Sequence, residues 1–184
     1  MLAVPLPLDE VKPLLNDAIA LAAHNAPRLC VLSGQEEELQ QLEDRLGKMA
    51  IECRRLHTSH AFHSRMMEPI LQLFTEEVRK IKLSPPIIPY LSNVSGSWIT
   101  PAAATDPNYW AKQLRQTVRF SEGLKELLQQ PDGIFIEVGP GQTLSSATKL
   151  HRKNTADHLV LTSMKRWRDS QSDLPVLLDA LGRL

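Results

Sequence analysis

The feature that most constrains this chain is the order of its first 58 residues, where short apolar runs alternate with helix-type stripes. Leu2–Leu6 is a strand-like run ended by Pro7. Asp9 then reads as the N-cap of a short helix through Val11, Leu14 and Leu15. Pro13 is tolerated there because first-turn amides lack intrahelical partners. Ile19–Ala23 and Arg28–Leu32 read as two strands joined by the loop His24-Asn25-Ala26-Pro27. Ser33 and Glu36 match a capping box. The helix they open places Leu39, Leu42, Leu46 and Met49 on one face, and Ile51–Leu56 reads as a last strand. The resulting β-α-β-β-α-β order is the split βαβ of ferredoxin-like domains.

Beyond residue 60 the pattern changes. Met66, Met67, Ile70, Leu71, Phe74 and Val78 mark a helix to about Lys80, and Ile87–Leu91 a Pro-rich strand. Asp106-Pro107 is a cap followed by a first-turn proline, opening a helix through Trp110 and Leu114. A further helix runs from about Ser121 to Gln129. Gly133–Val138 is the clearest buried strand, closed by Gly139-Pro140-Gly141. A helix from Gln142 to about His151, a strand at Leu159–Ser163 and a helix from Ser172 complete an alternation typical of a parallel α/β sheet.

Lys plus Arg and Asp plus Glu both number 21, so no net charge draws the chain to nucleic acid or anionic lipid. Residues 1–58 hold no Phe, Trp or Tyr, which removes the base-stacking surface an RNA-binding sheet needs. The longest apolar stretch, Ala18–Ala23, is far too short to span a membrane. No secretory signal opens the chain, so the cytoplasm is the expected location. Met1 leads straight into strand-like sequence, which fits a fragment of a larger domain. Cys30 and Cys53 form neither a disulfide framework nor a four-cysteine zinc site and are expected as small buried hydrophobes.

His57, His60 and His63 recur at spacings of three. A zinc site would use two or three of them, but no carboxylate or thiolate stands at ligand spacing beside them. A single catalytic imidazole fits the segment better, because histidine is the commonest general base near neutral pH. None of the eight glycines opens a G-x-S-x-G elbow, and Ser95-Gly96-Ser97 lies in a turn between short strands. The chain therefore offers a base and no convincing nucleophile. Gly139-Pro140-Gly141 could cradle a phosphate or form a tight β-to-α turn; it matches neither G-x-G-x-x-G nor a P-loop.

The segment Leu56-His57-Thr58-Ser59-His60-Ala61-Phe62-His63-Ser64-Arg65-Met66-Met67-Glu68-Pro69 closely resembles acyltransferase domains of modular polyketide synthases. Tyr90–Gly96, Asp106–Trp110, Gln113–Phe120 and Glu137–Gly141 resemble the later segments of that family, in the right order. Arg166, Trp167 and Arg168, ahead of Leu177–Leu184, look like the linker that follows such domains. The resemblance implies an α/β fold: a ferredoxin-like subdomain at 1–58, the C-terminal part of an α/β hydrolase-like subdomain at 59–151, and a linker with a terminal helix at 152–184. The family's G-H-S-x-G elbow, an oxyanion contributor and a carboxylate-clamping arginine belong to sequence preceding the insert, and this chain does not contain them.

The activity implied is ping-pong transfer of a malonyl group from malonyl-coenzyme A to the phosphopantetheine thiol of an acyl carrier protein, with no bound cofactor and no metal. By family position His63 is the general base, and the backbone carbonyl of Gln113 orients its ring. Asn93 lines the cleft. His60-Ala61-Phe62-His63 matches the tetrad that accompanies malonyl, whereas Tyr-Ala-Ser-His accompanies methylmalonyl; Phe62 fills the space of an α-methyl branch. The partners implied are the carrier protein, the ketosynthase and the other domains of the synthase, with neither nucleic acid nor membrane. The alternative is a non-catalytic, ferredoxin-like docking module for a carrier protein.

Overall fold

Leu2–Val4 (β1) is buried at all three positions, as a central strand between two layers requires. A computed structural model describes residues 1–151, 158–166, 169–170 and 172–184. It divides into two compact units, Met1–Gly123 and Leu124–Leu184.

In the first unit β1 is followed by α1 (Leu8–Val11), a 3-10 turn at Lys12–Leu14, β2 (Ile19–Ala26), β3 (Leu29–Gly34), α2 (Glu36–Lys48) and β4 (Arg54–Arg55). The strands form one antiparallel sheet in the order β2-β3-β1-β4. The βαββαβ order read from the sequence is therefore present. Alternation sorts the faces: Leu2, Val4, Cys30 and Leu32 join Leu39, Leu42 and Leu46 of α2 in one core, while Ala3, Val31, Ala22 and Ala23 form a second cluster. The three α2 leucines, spaced i, i+3, i+7, are nearly inaccessible, and burying each contributes roughly 1.5–3 kcal/mol.

Local boundaries differ from expectation for identifiable reasons. Pro7 is the N-cap of α1; Asp9 lies in the first turn and pairs with Lys12 at 2.8 Å. His24, Asn25 and Ala26 are inside β2, and the hairpin turns on Pro27 and Arg28 alone. Ser33 is not a cap. The β2–β3 ladder continues to Gly34, burying the Ser33 hydroxyl without a hydrogen-bond partner. A Cβ at Gly34 would lie 2.4 Å from the Ala18 carbonyl oxygen, so the close approach needs glycine. Gln35 caps α2 without a side-chain bond, and Glu36, Glu37 and Glu38 face the positive end of the helix dipole instead. Met49 falls beyond the last helical turn and is exposed. Of Ile51–Leu56, only Arg54 and Arg55 join the ladder.

The remainder of this unit holds a 3-10 turn at Arg65–Met67, α3 (Glu68–Arg79), the hairpin β5 (Leu91–Ser92) and β6 (Ser97–Trp98), α4 (Pro101–Ala104) and α5 (Pro107–Arg115). Ser95-Gly96-Ser97 sits at the hairpin, as expected. Asp106 caps α5 by accepting from the Asn108 N–H, with Pro107 in the first turn. α3 packs against α5. The expected strand at Ile87–Leu91 is absent but for Leu91; Ile87 and Ile88 are 99% and 79% exposed. Along α3 and the 3-10 turn before it, Met67 and Thr75 are buried, whereas Met66, Ile70, Leu73 and Phe74 face solvent. α6 (Phe120–Leu127) runs across the division between the units.

In the second unit β7 (Ile134–Glu137) and β8 (Leu159–Thr162) pair in parallel, with α7 (Thr143–Lys149) between them and α8 (Asp173–Gly182) following. The expected buried strand is half-exposed at Ile134 and Ile136, because β7 has a ladder partner on one edge only among the described residues. Trp167 and Arg168 lie outside the described residues. Among those described, no helix is long and apolar enough to cross a membrane.

Candidate active site

The segment from His57 to Ser64 has no regular structure, so side chains must hold it. The buried Ser64 hydroxyl donates to the Ala61 carbonyl at 2.6 Å and accepts from the Met66 N–H at 3.2 Å. That pins His63 in the left-handed region, at φ 60°. Non-glycine residues in this region are held there by their surroundings and cluster at functional sites.

The ring is fixed from one side. His63 Nδ1 lies 2.9 Å from the Gln116 carbonyl oxygen, and the His63 N–H donates to the Leu114 carbonyl. A carbonyl only accepts, so Nδ1 carries the proton and the Nε2 lone pair is left to accept one. Burial lowers the pKa of the imidazole, opposed by the Gln116 and Gln113 carbonyls. The ring is therefore neutral, and basic, at pH 7.

His63 opens on a cleft of about 550 Å³ lined also by Leu8, Leu21, His24, Val94, Arg115, Gln116, Thr117, Arg119 and Glu122. Arg115 bridges α5 to the start of α3 through Nε and NH2, 3.0 and 2.9 Å from Glu68 Oε1. His24 Nδ1 stands 3.3 Å from Glu122 Oε2.

The residues singled out in the sequence are distributed unevenly around this ring. The carbonyl bonded to the imidazole is that of Gln116, three residues beyond the expected Gln113. The Gln113 carbonyl acts on the ring only as a smaller influence that raises its pKa, and the Gln113 side-chain oxygen is buried without a partner. Phe62 is half-buried next to His63 in sequence. His60 is exposed, with Nδ1 3.0 Å from the Ser59 hydroxyl and its ring centroid 5.9 Å from that of Phe62. Asn93 is not among the cleft-lining residues; its carbonyl accepts from the Arg119 N–H at 2.8 Å, and Val94 beside it reaches the cleft. His57 is exposed. No three His, Cys, Asp or Glu side chains form a metal-holding group among the described residues. Sequence reasoning missed Gln116, Thr117 and Arg115. Gln116 acts through its backbone, which leaves no side-chain pattern to read.

Neither cysteine supplies a nucleophile. Burial, then the charge of Glu122, pushes the Cys30 thiol up to about 11, and burial raises Cys53 as well. In the second unit, Gly139 and Gly141 adopt φ 145° and 100°, which a tight turn of this kind requires. Glu137 occupies the helix end that a phosphate would need, accepting from the Leu144 and Ser145 N–H groups at 3.1 and 2.9 Å. Burial opposes its ionisation, but the donors around it hold the carboxyl below its ordinary range. The turn reading therefore stands, and the phosphate reading does not.

Comparison with known proteins adds a family. The profile described as acyl transferase domain matches residues 1–183. A phenolphthiocerol/phthiocerol polyketide synthase protein of Mycobacterium tuberculosis is 35% identical over 184 residues, 100% of this chain and 12% of that protein. The solved acyl transferase domain of SpnD, in complex with 2-(pent-4-yn-1-yl)malonyl, superposes with a TM-score of 0.93 at 35% identity, covering 99% of this chain and 44% of that one. The malonyl CoA-acyl carrier protein transacylase from Clostridium perfringens shares the fold, with a TM-score of 0.82 at 22% identity over 99% of this chain and 55% of that one. The chain thus spans less than half of the SpnD domain chain and a small part of the mycobacterial synthase.

Proposed function

This chain belongs to the acyl transferase domain family of polyketide synthases, and from that premise we propose that it supplies the general-base side of an active site whose nucleophilic serine lies outside it. The observation that carries the reading is His63 itself. Its backbone is held at positive φ, its Nδ1 faces a carbonyl 2.9 Å away and its Nε2 is left to act. A carrier-docking module without catalysis has no use for a ring fixed in this way.

In the proposed reaction, Nε2 of His63 takes the proton from the serine hydroxyl as its oxygen attacks the thioester of malonyl-coenzyme A. The coenzyme A sulfur leaves and takes that proton back. The phosphopantetheine thiol of an acyl carrier protein then gives its proton to His63 and attacks the acyl-serine, and the serine leaves reprotonated. The Gln116 carbonyl holds the ring, and the carbonyls of Gln116 and Gln113 favour its charged form during each step. No metal or bound cofactor takes part. Phe62 and His60 are proposed to shape the extender pocket and Asn93 to support its wall. Phe62 would crowd an α-methyl group, which favours malonyl. The proposed subdomains are 1–58, 59–151 and 152–184; the partners are the carrier protein, the ketosynthase and neighbouring synthase domains, in the cytoplasm.

The test is transfer of labelled malonyl to a carrier protein by the domain completed with its nucleophile-bearing segment. Labelling that His63→Ala reduces about 10²–10⁴-fold supports the reading. Labelling indifferent to His63 overturns it.

A further inference from the structure

The carbonyl that fixes His63 sits in a link with no regular structure of its own. Gln116–Arg119 joins α5 to α6, and only the Gln116 N–H is satisfied by a helix, through the Lys112 carbonyl. Every other polar bond that locates the link is made outside it. The Thr117 hydroxyl donates to the Leu21 carbonyl at 2.7 Å. The Val118 N–H donates to the Ala22 carbonyl at 2.8 Å, and the His24 N–H to the Val118 carbonyl at 2.9 Å. On the other side, the Arg119 N–H is held by the Asn93 carbonyl.

The partners on β2 are set by an irregularity. β2 is the outer strand of its sheet, and its pairing with β3 slips between Leu21 and Ala23, leaving Ala22 without an opposite residue. A regular strand turns alternate carbonyls outward. The extra residue lets two successive carbonyls, those of Leu21 and Ala22, accept from the same outside segment. Bulges beside active sites commonly re-aim groups in this way.

The geometry points to Thr117, bound through its hydroxyl to the Leu21 carbonyl beside the bulge at Ala22 of β2, as a positioning residue for His63. It holds the link so that the Gln116 carbonyl meets Nδ1. Thr117 lines the cleft, but its hydroxyl is turned to the Leu21 carbonyl, and its proposed effect on His63 passes through Gln116. The side chains of His24 and Glu122, 3.3 Å apart, add a second fastening between β2 and the start of α6. The inference deepens the acyl-transfer reading, because it rests on His63 being the base whose orientation matters.

The experiment uses the 184-residue chain labelled with ¹⁵N and reads the tautomer of His63 from its two ring-nitrogen shifts. The unaltered chain should hold the Nδ1–H form. Thr117→Val removes the hydroxyl at nearly constant volume. It should move the tautomer ratio toward Nε2–H about fivefold, the value of one hydrogen bond of ordinary net strength. Thr117→Ser keeps the hydroxyl and should restore the original ratio. Unchanged amide signals of Leu32 and Leu39 report that the sheet block is intact. Where Thr117→Val disturbs them, Thr117→Ala, which cannot overpack, is read in its place by the same criterion. An unaltered ratio in the folded variant, or a shift that Thr117→Ser does not reverse, overturns the positioning role. Either result leaves the acyl-transfer reading standing, since that reading is tested by malonyl labelling and not by the tautomer of His63.

Discussion

The β1–β4 block and helix α3 use apolar residues in opposite ways. In the block, Leu2, Val4, Leu32, Leu39 and Leu46 are all but inaccessible, and their neighbours come from the same 58 residues. On α3 and the turn that leads into it, Met66, Ile70, Leu73 and Phe74 form an apolar stripe, yet they face solvent. β7 and the residue after it show the same trait in the second unit, with Ile134, Ile136 and Val138 exposed. An apolar stripe with its neighbours in the chain is a core; one without them is a contact surface of the kind that binds other protein. His63 lies just ahead of α3, between these two kinds of surface in sequence.

The strongest test of that contrast is catalytic. In the completed domain, His63→Ala should cost about 10²–10⁴-fold in acyl transfer, while the block's own folding is unchanged. Steady-state labelling together with the amide spectrum checks both halves. A stability comparison comes next. Leu39→Ala should destabilise the block by about 2–5 kcal/mol in urea unfolding, because it leaves a cavity. Phe74→Ala should change the chain alone by no more than about 0.5 kcal/mol. Adding the complementing segment should raise the cost of Phe74→Ala and leave that of Leu39→Ala alone. Equal costs for the two changes in the isolated chain would remove the contrast.

Selectivity gives a smaller effect. Phe62→Ser should shift the ratio of methylmalonyl to malonyl transfer by about 10–200-fold, the equivalent of roughly 1–3 kcal/mol, in a competition between the two thioesters. A uniform loss with both would make Phe62 packing and nothing more. The smallest effect lies at Glu137. Glu137→Ala should cost about 1 kcal/mol, as loss of a helix cap does. The folded-state pKa of this carboxyl is lowered, so its stabilisation is complete above the ordinary carboxylate range and is lost as pH falls through the lowered value. Acid titration of the Ser145 amide signal should show that loss in the parent chain and not in the variant.

Much of this was legible from periodicity. The α2 leucines, the βαββαβ order and the cap at Asp106 follow from spacing and local chemistry alone. Boundaries were less legible where tertiary pairing decided them: Ser33 had the right neighbours for a cap, but the ladder to Gly34 claimed it. Ile87 and Ile88 look like a strand, yet no neighbouring strand pairs with them among the described residues. At the site, His63 was readable as a side chain of known chemistry. Gln116, the Ala22 bulge and the Asn93 carbonyl act through backbone atoms that any residue type carries, so the sequence holds no mark of them.

The most direct measurement of the central claim is intact mass after exposure to malonyl-coenzyme A. The 184-residue chain alone should gain no malonyl group, because the proposal gives it the base while its sequence contains no G-x-S-x-G elbow. With the nucleophile-bearing segment added as a separate chain, the adduct should form on that segment, and only when this chain carries His63. A stoichiometric malonyl adduct on this chain by itself would contradict the account.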